Sequence, residues 1–480
     1  MLKVPYAILN KWRYSKTNAV NRRILKVALM MGGLTVGVKL LALVKDAVLS
    51  ASYGTSDALD AFLIAYLLPS FIMSLMANSL GATLVPTYIQ VREQEGTGPA
   101  RQLFAEVLTL SGGILLLVTV VLGLGGPLLL PLLASGFNPA KLGQTQELFY
   151  LLLPIVLLNS LASLWTAILN AEERFQLGTL LPAVTSLALI FFLVVFQNSW
   201  GIYALVYGTL AGFLLQALLL GWAVKRHGFS LRPAWPKVTG SSSSAGRSTG
   251  GRALYQLNNQ FWPMLFGSIL LGSTGMVDQA IGATLAPGSV SALSYGNKLV
   301  AVITGIVTVA LATAVLPYFS KMAAVDNWKG LQHTLKVFTY LILAATLPVT
   351  LILYINSEWL IALLYQRGAF TKANTVQVAQ IQCMYLLQIP VYTLAVFISK
   401  LISSLKANQI LMWGTLISCI LNVAFDIILV QFMGIAGIAL STTIVYTFSF
   451  LYLRLKVTSL LKNKGLSSNN VVSVSHDQPK

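Results

Sequence analysis

Residues 24–51 read ILKVALMMGGLTVGVKLLALVKDAVLSA. A helix needs about 20 mostly apolar residues to cross a bilayer, and this run exceeds that length. Its hydrophobicity is continuous, whereas a membrane-barrel strand alternates over roughly 10 residues. It is also too long for the apolar core of a cleavable signal. The segment before it, 1–23, is polar and basic, with Lys3, Lys11, Arg13, Lys16, Arg22 and Arg23. The stretch therefore reads as a spanning helix preceded by a cytoplasmic surface segment.

Working outward, eleven further runs of the same kind lie at 59–89, 104–131, 147–170, 177–197, 201–224, 258–284, 289–317, 335–356, 376–400, 409–430 and 434–455. Whole-chain composition agrees. Of 480 residues, 56% are hydrophobic and only 10% charged, against about 25% charged in soluble domains. Too little charge remains to cover a water-facing surface, which excludes a soluble enzyme and a disordered chain. The two cysteines, Cys383 and Cys419, both fall in apolar runs, so neither a disulfide framework nor a Cys/His metal motif is expected.

The formal charge of +18 raises the question of nucleic acid, and the placement of the charge answers it. Let both termini and every connection after an even-numbered span share one side. That side collects all but six of the 32 Lys and Arg. Lys141, Arg367 and Lys372 fall on the other side, and Lys39, Lys45 and Lys298 within spans. Cytoplasmic loops carry the basic excess in membrane proteins, so both termini are expected in the cytoplasm and nucleic-acid binding is set aside.

The longest connection, 225–257, holds a Gly/Ser-rich centre at 240–246, which is linker composition. It separates six spans from six. Landmarks recur in order on either side of it. Val44-Lys45-Asp46 matches Met276-Val277-Asp278. Pro86 lies forty residues beyond Asp46, and Pro317 thirty-nine beyond Asp278. Pro154 precedes Ala171, and Pro390 precedes Ala407, by 17 residues each; Gly201-Ile202 and Gly434-Ile435 each open a sixth span. The expected fold is an all-α membrane protein of about 12 transmembrane helices. Two six-helix bundles (24–224 and 258–455), related as parallel repeats, surround a central cavity, and a cytoplasmic tail follows at 456–480. Transporters of such design hold substrate between the halves near the midplane.

Lys39, Lys45, Asp46, Asp60, Asp278, Lys298 and Asp426 fall within spans. Each costs roughly 2.5–3.5 kcal/mol at a helix centre unless it faces water or a partner, so these residues are the functional candidates. Lys39 and Asp46, seven apart, share a helix stripe. Across the halves, Lys45 and Lys298 with acidic partners suit a phosphate-bearing substrate, while internal Lys–Asp pairing that only holds helices together would produce the same residues. Asn422 and Asp426 stand four apart on one helix face, where Asp278 and Thr442 can join them. Oxygen ligands without nitrogen or sulfur suit a hard cation, and a hydrogen-bonded polar plug is the plainer alternative. No nucleophile–base constellation is visible.

Lys45-Asp46-Ala47, Gly54, Asp60-Ala61-Phe62, Pro69 and Val85-Pro86 together resemble the opening of the MurJ/MviN lipid II flippase family. That family belongs to the multidrug/oligosaccharidyl-lipid/polysaccharide exporter superfamily. Gly288 to Tyr295 leading to Lys298-Leu299, Arg367-Gly368-Ala369-Phe370 and the glycines of 434–440 extend the resemblance over 24–455. It implies a V-shaped cationic cavity and alternating access. The implied cargo is an undecaprenyl-diphosphate-linked saccharide, lipid II or an exopolysaccharide repeat unit, moved across the bacterial inner membrane. By the same resemblance, the substrate-binding positions are Lys39, Lys45, Asp46, Asp60, Lys298 and Lys400. A sodium site, the only cofactor implied, falls on Asp278, Asn422, Asp426, Thr442 and the carbonyl of Ile438, and the expected drive is Na⁺, H⁺ or the membrane potential. The four basic positions carry Lys where the family has Arg, and a family arginine of the second span appears as Met73. The implied partners are the lipid-linked substrate, membrane lipids and glycan-assembly enzymes. A drug or metabolite/cation antiporter of the same superfamily and a non-transporting scaffold are the competing expectations.

Overall fold

The computed structural model describes residues 17–230, 234, 249–405 and 407–474. Most of the expected N-terminal segment and the Gly/Ser-rich centre of the linker lie outside the described residues. Every regular element among the described residues is an α-helix. The spans, in order, are Thr17–Tyr53, Asp57–Glu95, Thr97–Leu133, Pro139–Ala171, Phe175–Trp200, Ile202–Arg226, Thr249–Gly282, Ser289–Ala324, Trp328–Ile355, Lys372–Ser404, Asn408–Met433 and Ile435–Val474. Ten of them have described stretches long and apolar enough to cross a membrane. The first and seventh helices occupy the other two expected positions.

Several helices outrun the apolar runs that announced them. Among the described residues the seventh reaches back to Thr249, inside the expected linker, and the twelfth reaches Val474, in the expected tail. Once nucleated, a helix adds residues at little cost, so it can run past the edge of the apolar stretch. A short helix, Ser357–Tyr365, stands between the ninth and tenth spans where the sequence reading places a loop.

The fourth, fifth and tenth spans are interrupted at Leu153, Leu181 and Leu387. Pro154 and Pro182 restart their helices at the first position, where the missing N–H costs nothing. Pro390 withholds the N–H that would bond the carbonyl of Leu386. The fourth and tenth spans are counterparts in the two halves, so the interruption is itself repeated.

Packing repeats as well. In the first half, the second helix packs on the fourth, the fifth on the sixth, the fourth on the sixth and the first on the fifth. In the second half, the eighth packs on the tenth, the eleventh on the twelfth, the tenth on the twelfth and the seventh on the eleventh. The glycines opening the sixth and twelfth spans share one unusual backbone conformation, Gly201 at φ 54°, ψ −132° and Gly434 at φ 55°, ψ −136°. L-residues with a side chain avoid this region.

The outer surface is apolar. On the third span Leu117, Val121, Leu124, Leu128 and Leu132 form an exposed stripe, with Leu124 79% exposed. Water would not tolerate a patch of this extent, whereas hydrocarbon solvates it. The chain is a multi-pass membrane protein.

One asymmetry between the halves shapes the centre. The second helix packs extensively on the seventh. The repeat equivalents of that pair, the eighth and the first, barely touch among the described residues. A cavity opens on that side.

Candidate functional site

The cavity measures about 190 Å³ and is lined by the first, second, fifth, sixth and eighth helices. Lys45 and Asp46 enter it from the first half and Lys298 from the second. Asp46 is buried at 4% exposure. Its Oδ1 lies 2.9 Å from Lys45 Nζ and its Oδ2 lies 3.5 Å from Lys298 Nζ. One carboxylate thus holds two ammonium groups, one from each half. The trio keeps one positive charge in excess, and the Lys298 side chain, 37% exposed, presents it. Phe62, Tyr66 and Tyr295 supply aromatic walls. The Tyr295 ring packs 5.1 Å from Tyr365 and 5.5 Å from Phe370, between centroids. Both tyrosine hydroxyls are buried without a hydrogen-bond partner.

Seven-residue spacing to Asp46 does not bring Lys39 into this group. Lys39 is exposed on the first helix, Lys400 sits partly exposed near the end of the tenth span, and neither lines the cavity. Asp60 is also absent from the lining and performs a different task. It is 1% exposed and crosses between the halves. Its Oδ2 accepts from the Gly288 N–H and its Oδ1 from the Ser291 N–H, both at 2.8 Å. Those are orphan donors at the start of the eighth helix, so Asp60 of the second helix caps a helix of the opposite half, with the geometry of an N-cap side chain supplied from elsewhere. Lys141 Nζ lies 3.3 Å from Asp60 Oδ2 and also pairs with Asp57. The sequence reading left Lys141 in a loop. The signal available was two acids at the first turn of the second helix, Asp57 and Asp60, which need a cation close by.

Around Asp60 the two halves are clasped at the charge-poor end. The Ala369 N–H donates to the Ala51 carbonyl at 2.8 Å. Asn374 Nδ2 donates to Thr55 Oγ1, and Ser50 Oγ donates to the Tyr365 carbonyl at 3.3 Å. Gly288 and Gly368 both adopt positive φ, and a Cβ there would fall on the carbonyl oxygens of Thr55 and Ala51 respectively. Backbones this close require glycine. The motif Arg367-Gly368-Ala369-Phe370 is thereby a contact between halves.

A second charged group lies wholly within the second half. Asn422 Nδ2 donates to Asp278 Oδ1 at 3.0 Å, and Thr442 Oγ1 donates to Asp278 Oδ2 at 3.2 Å. Thr442 Oγ1 also lies 3.2 Å from the Ile438 carbonyl oxygen. Asn422 and Asp426 are 1% and 0% exposed. Asn422 Oδ1 and both carboxylate oxygens of Asp426 are buried without a hydrogen-bond donor. The seventh, eleventh and twelfth helices therefore bring all five expected residues to one place. Buried acceptors facing one another without donors are costly unless a cation or proton joins them. The donor set is all oxygen. Among the described residues there is no group of three or more His, Cys, Asp or Glu, so the set fits a singly charged hard cation better than a transition metal.

Comparison with known proteins agrees with this architecture. Residues 49–475 match the family model "Lipid II flippase MurJ". The probable lipid II flippase MurJ of Rhizobium tropici is 25% identical over 436 residues, 88% of this chain and 78% of that protein. The corresponding Synechocystis protein is 24% identical over 458 residues, 91% of this chain and 81% of that one. Among solved structures, "Lipid II flippase MurJ, inward closed conformation" superposes with a TM-score of 0.75 at 21% identity, covering 94% of each chain. An inward-facing multidrug resistance MATE family transporter of the MOP superfamily superposes at 0.70 with 14% identity, covering 90% of this chain and 98% of that one. The two structures share the fold, and the family match spans nearly the whole sequence: the chain belongs to the MurJ lipid II flippase family.

Proposed function

We propose that this protein moves an undecaprenyl-diphosphate-linked saccharide from the inner to the outer leaflet of the bacterial inner membrane by alternating access, with the basic end and both termini in the cytoplasm. The observation that carries this reading is the Lys45–Asp46–Lys298 trio beside the central cavity, with one ammonium from each half and a net positive charge. An anionic diphosphate that displaced Asp46 would collect both lysines, and rocking of the halves would carry it outward. A cavity serving organic cations would need the opposite sign, which argues against the drug or metabolite antiporter despite the shared fold. Proton or sodium coupling is assigned to Asp278, Asn422, Asp426, Thr442 and the Ile438 carbonyl. Their unpartnered oxygens support a site for one cation. No enzymatic step is required.

The first substrate to test is lipid II, which the named relatives share. A strain depleted of its lipid II flippase is supplied with this gene, and lipid II at the outer leaflet is measured by extracellular labelling. Restored growth and labelling are expected from the parent sequence and not from K45A/K298A expressed at the same level. Parent protein that restores neither, yet restores export in a strain lacking an exopolysaccharide flippase, moves the assignment to that repeat unit. Full activity from K45A/K298A removes the cavity from the mechanism.

A further inference from the structure

A second cavity, of about 350 Å³, opens between the first helix, the fifth helix and the loop bearing Arg367. Val44, Val48, Leu193 and Val194 line its deeper part; Gln197, Asn198 and Arg367 line it one turn nearer the charge-poor end. Val44 and Val194 are 53% and 71% exposed, so the groove faces the bilayer. Its level is marked by Trp200, which stacks on Phe196 at 4.4 Å and meets Tyr207 edge-on at 5.6 Å, an arrangement typical of the membrane–water interface.

Arg367 is one of three basic residues expected at that end. Lys141 is paired with Asp57 and Asp60. Arg367 has no carboxylate partner among the described residues; one Nη2 hydrogen goes to the Leu363 carbonyl, and the rest of the fork is uncommitted. Gln197 spends its amide on the Ser52 carbonyl at 2.9 Å, which leaves the Asn198 amide as a second donor. The groove contains no acid. An uncommitted guanidinium above an apolar trough matches a phosphate ester with an acyl chain attached.

We infer that this groove binds one anionic phospholipid of the outer leaflet, its phosphodiester on Arg367 and Asn198 and an acyl chain along Val44, Val48 and Val194. The leaflet follows from the orientation proposed above. A single guanidinium balances one phosphodiester charge, which favours a bilayer phospholipid over the more highly charged diphosphate of the cargo. The groove joins Arg367 of the second half to the first half at the clasp, where Ala369 N–H bonds the Ala51 carbonyl. Lipid in the groove therefore favours the closed charge-poor end.

The test uses purified full-length protein and native mass spectrometry with phosphatidylglycerol or phosphatidylcholine in equal amounts. The parent is expected to retain phosphatidylglycerol about tenfold better, because both lipids carry the phosphodiester but only phosphatidylcholine brings a trimethylammonium cation up to Arg367. R367Q should fall to the phosphatidylcholine level, N198A should lose part of the preference, and R454Q, on the far end of the twelfth helix, should match the parent. Size-exclusion profile and melting temperature without added lipid establish that R367Q is folded. Four results overturn the proposal: equal retention of both lipids by the parent, unchanged retention by R367Q, displacement by inorganic phosphate, which needs no acyl chain, or preferential displacement by undecaprenyl diphosphate, which would give the groove to the cargo. None of these readouts depends on flipping, so their failure and failure of the flippase reading are told apart.

Discussion

The Lys45–Asp46–Lys298 group and the Asp278–Asn422–Asp426–Thr442 group both place charge within the membrane-spanning helices, yet they are built on opposite rules. The first pairs opposite signs and draws them from both halves of the molecule. The second holds two carboxylates and no basic side chain, satisfies Asp278 with the Asn422 amide and the Thr442 hydroxyl, leaves the Asp426 oxygens without a donor, and draws all of them from one half. A charge pair that straddles two bodies is satisfied only while those bodies stay in register, so it senses their separation. A cluster within one body keeps its geometry as the bodies move, so it suits an ion that rides along. In the function proposed above, the first group is the one assigned to the cargo and the second the one assigned to the coupling ion.

Removing one arm of the straddling group should give the largest effect. K298A or K45A is expected to lower outer-leaflet appearance of substrate about ten- to a hundredfold, the equivalent of the roughly 1.5–3 kcal/mol of a hydrogen bond to a charged group. A loss under twofold at equal expression would break the contrast. D46N should act through stability as well, because stranding buried cations costs about 3–5 kcal/mol; its melting temperature should fall below that of K298A.

The acid cluster should respond to ions instead. Ligand present at a hundred times its dissociation constant stabilises a protein by about 2.7 kcal/mol. Melting temperature measured in sodium chloride against choline chloride should rise for the parent and stay level for D426N and N422A. A sodium-dependent rise that persists in D426N would assign the cluster to structure alone, and a response to pH without one to sodium would make the ion a proton.

The clasp at the charge-poor end gives a smaller expected effect. G368A or G288A places a Cβ on an opposing backbone, a strain of about 1–3 kcal/mol. Each should shift the equilibrium toward an opened outer end. With Cys383 and Cys419 replaced by serine, a cysteine introduced at Thr55 should react faster with an impermeant thiol reagent in either variant. Lys39, outside the cavity, should give the smallest effect, with K39A changing flipping by less than about twofold.

The sequence alone determined the solvent, the number of expected crossings and the relation of the halves. Those properties are local or additive: twenty apolar residues insert wherever they occur, and basic loops accumulate on one side. It also placed Asp278, Asn422, Asp426 and Thr442 together by resemblance, and they do meet. Partners for Asp60 were beyond its reach. Nothing near residue 60 announces that its carboxylate caps a helix starting at Ser289, since that depends on two bundles abutting. The separation of Lys39 from Lys45, the recruitment of Lys141 and the meeting of Arg367's loop with Ala51 were likewise decided only by the packing. A hydrophobic run fixes where a helix lies in the membrane; only the crowding of its neighbours decides which way each charged side chain can turn.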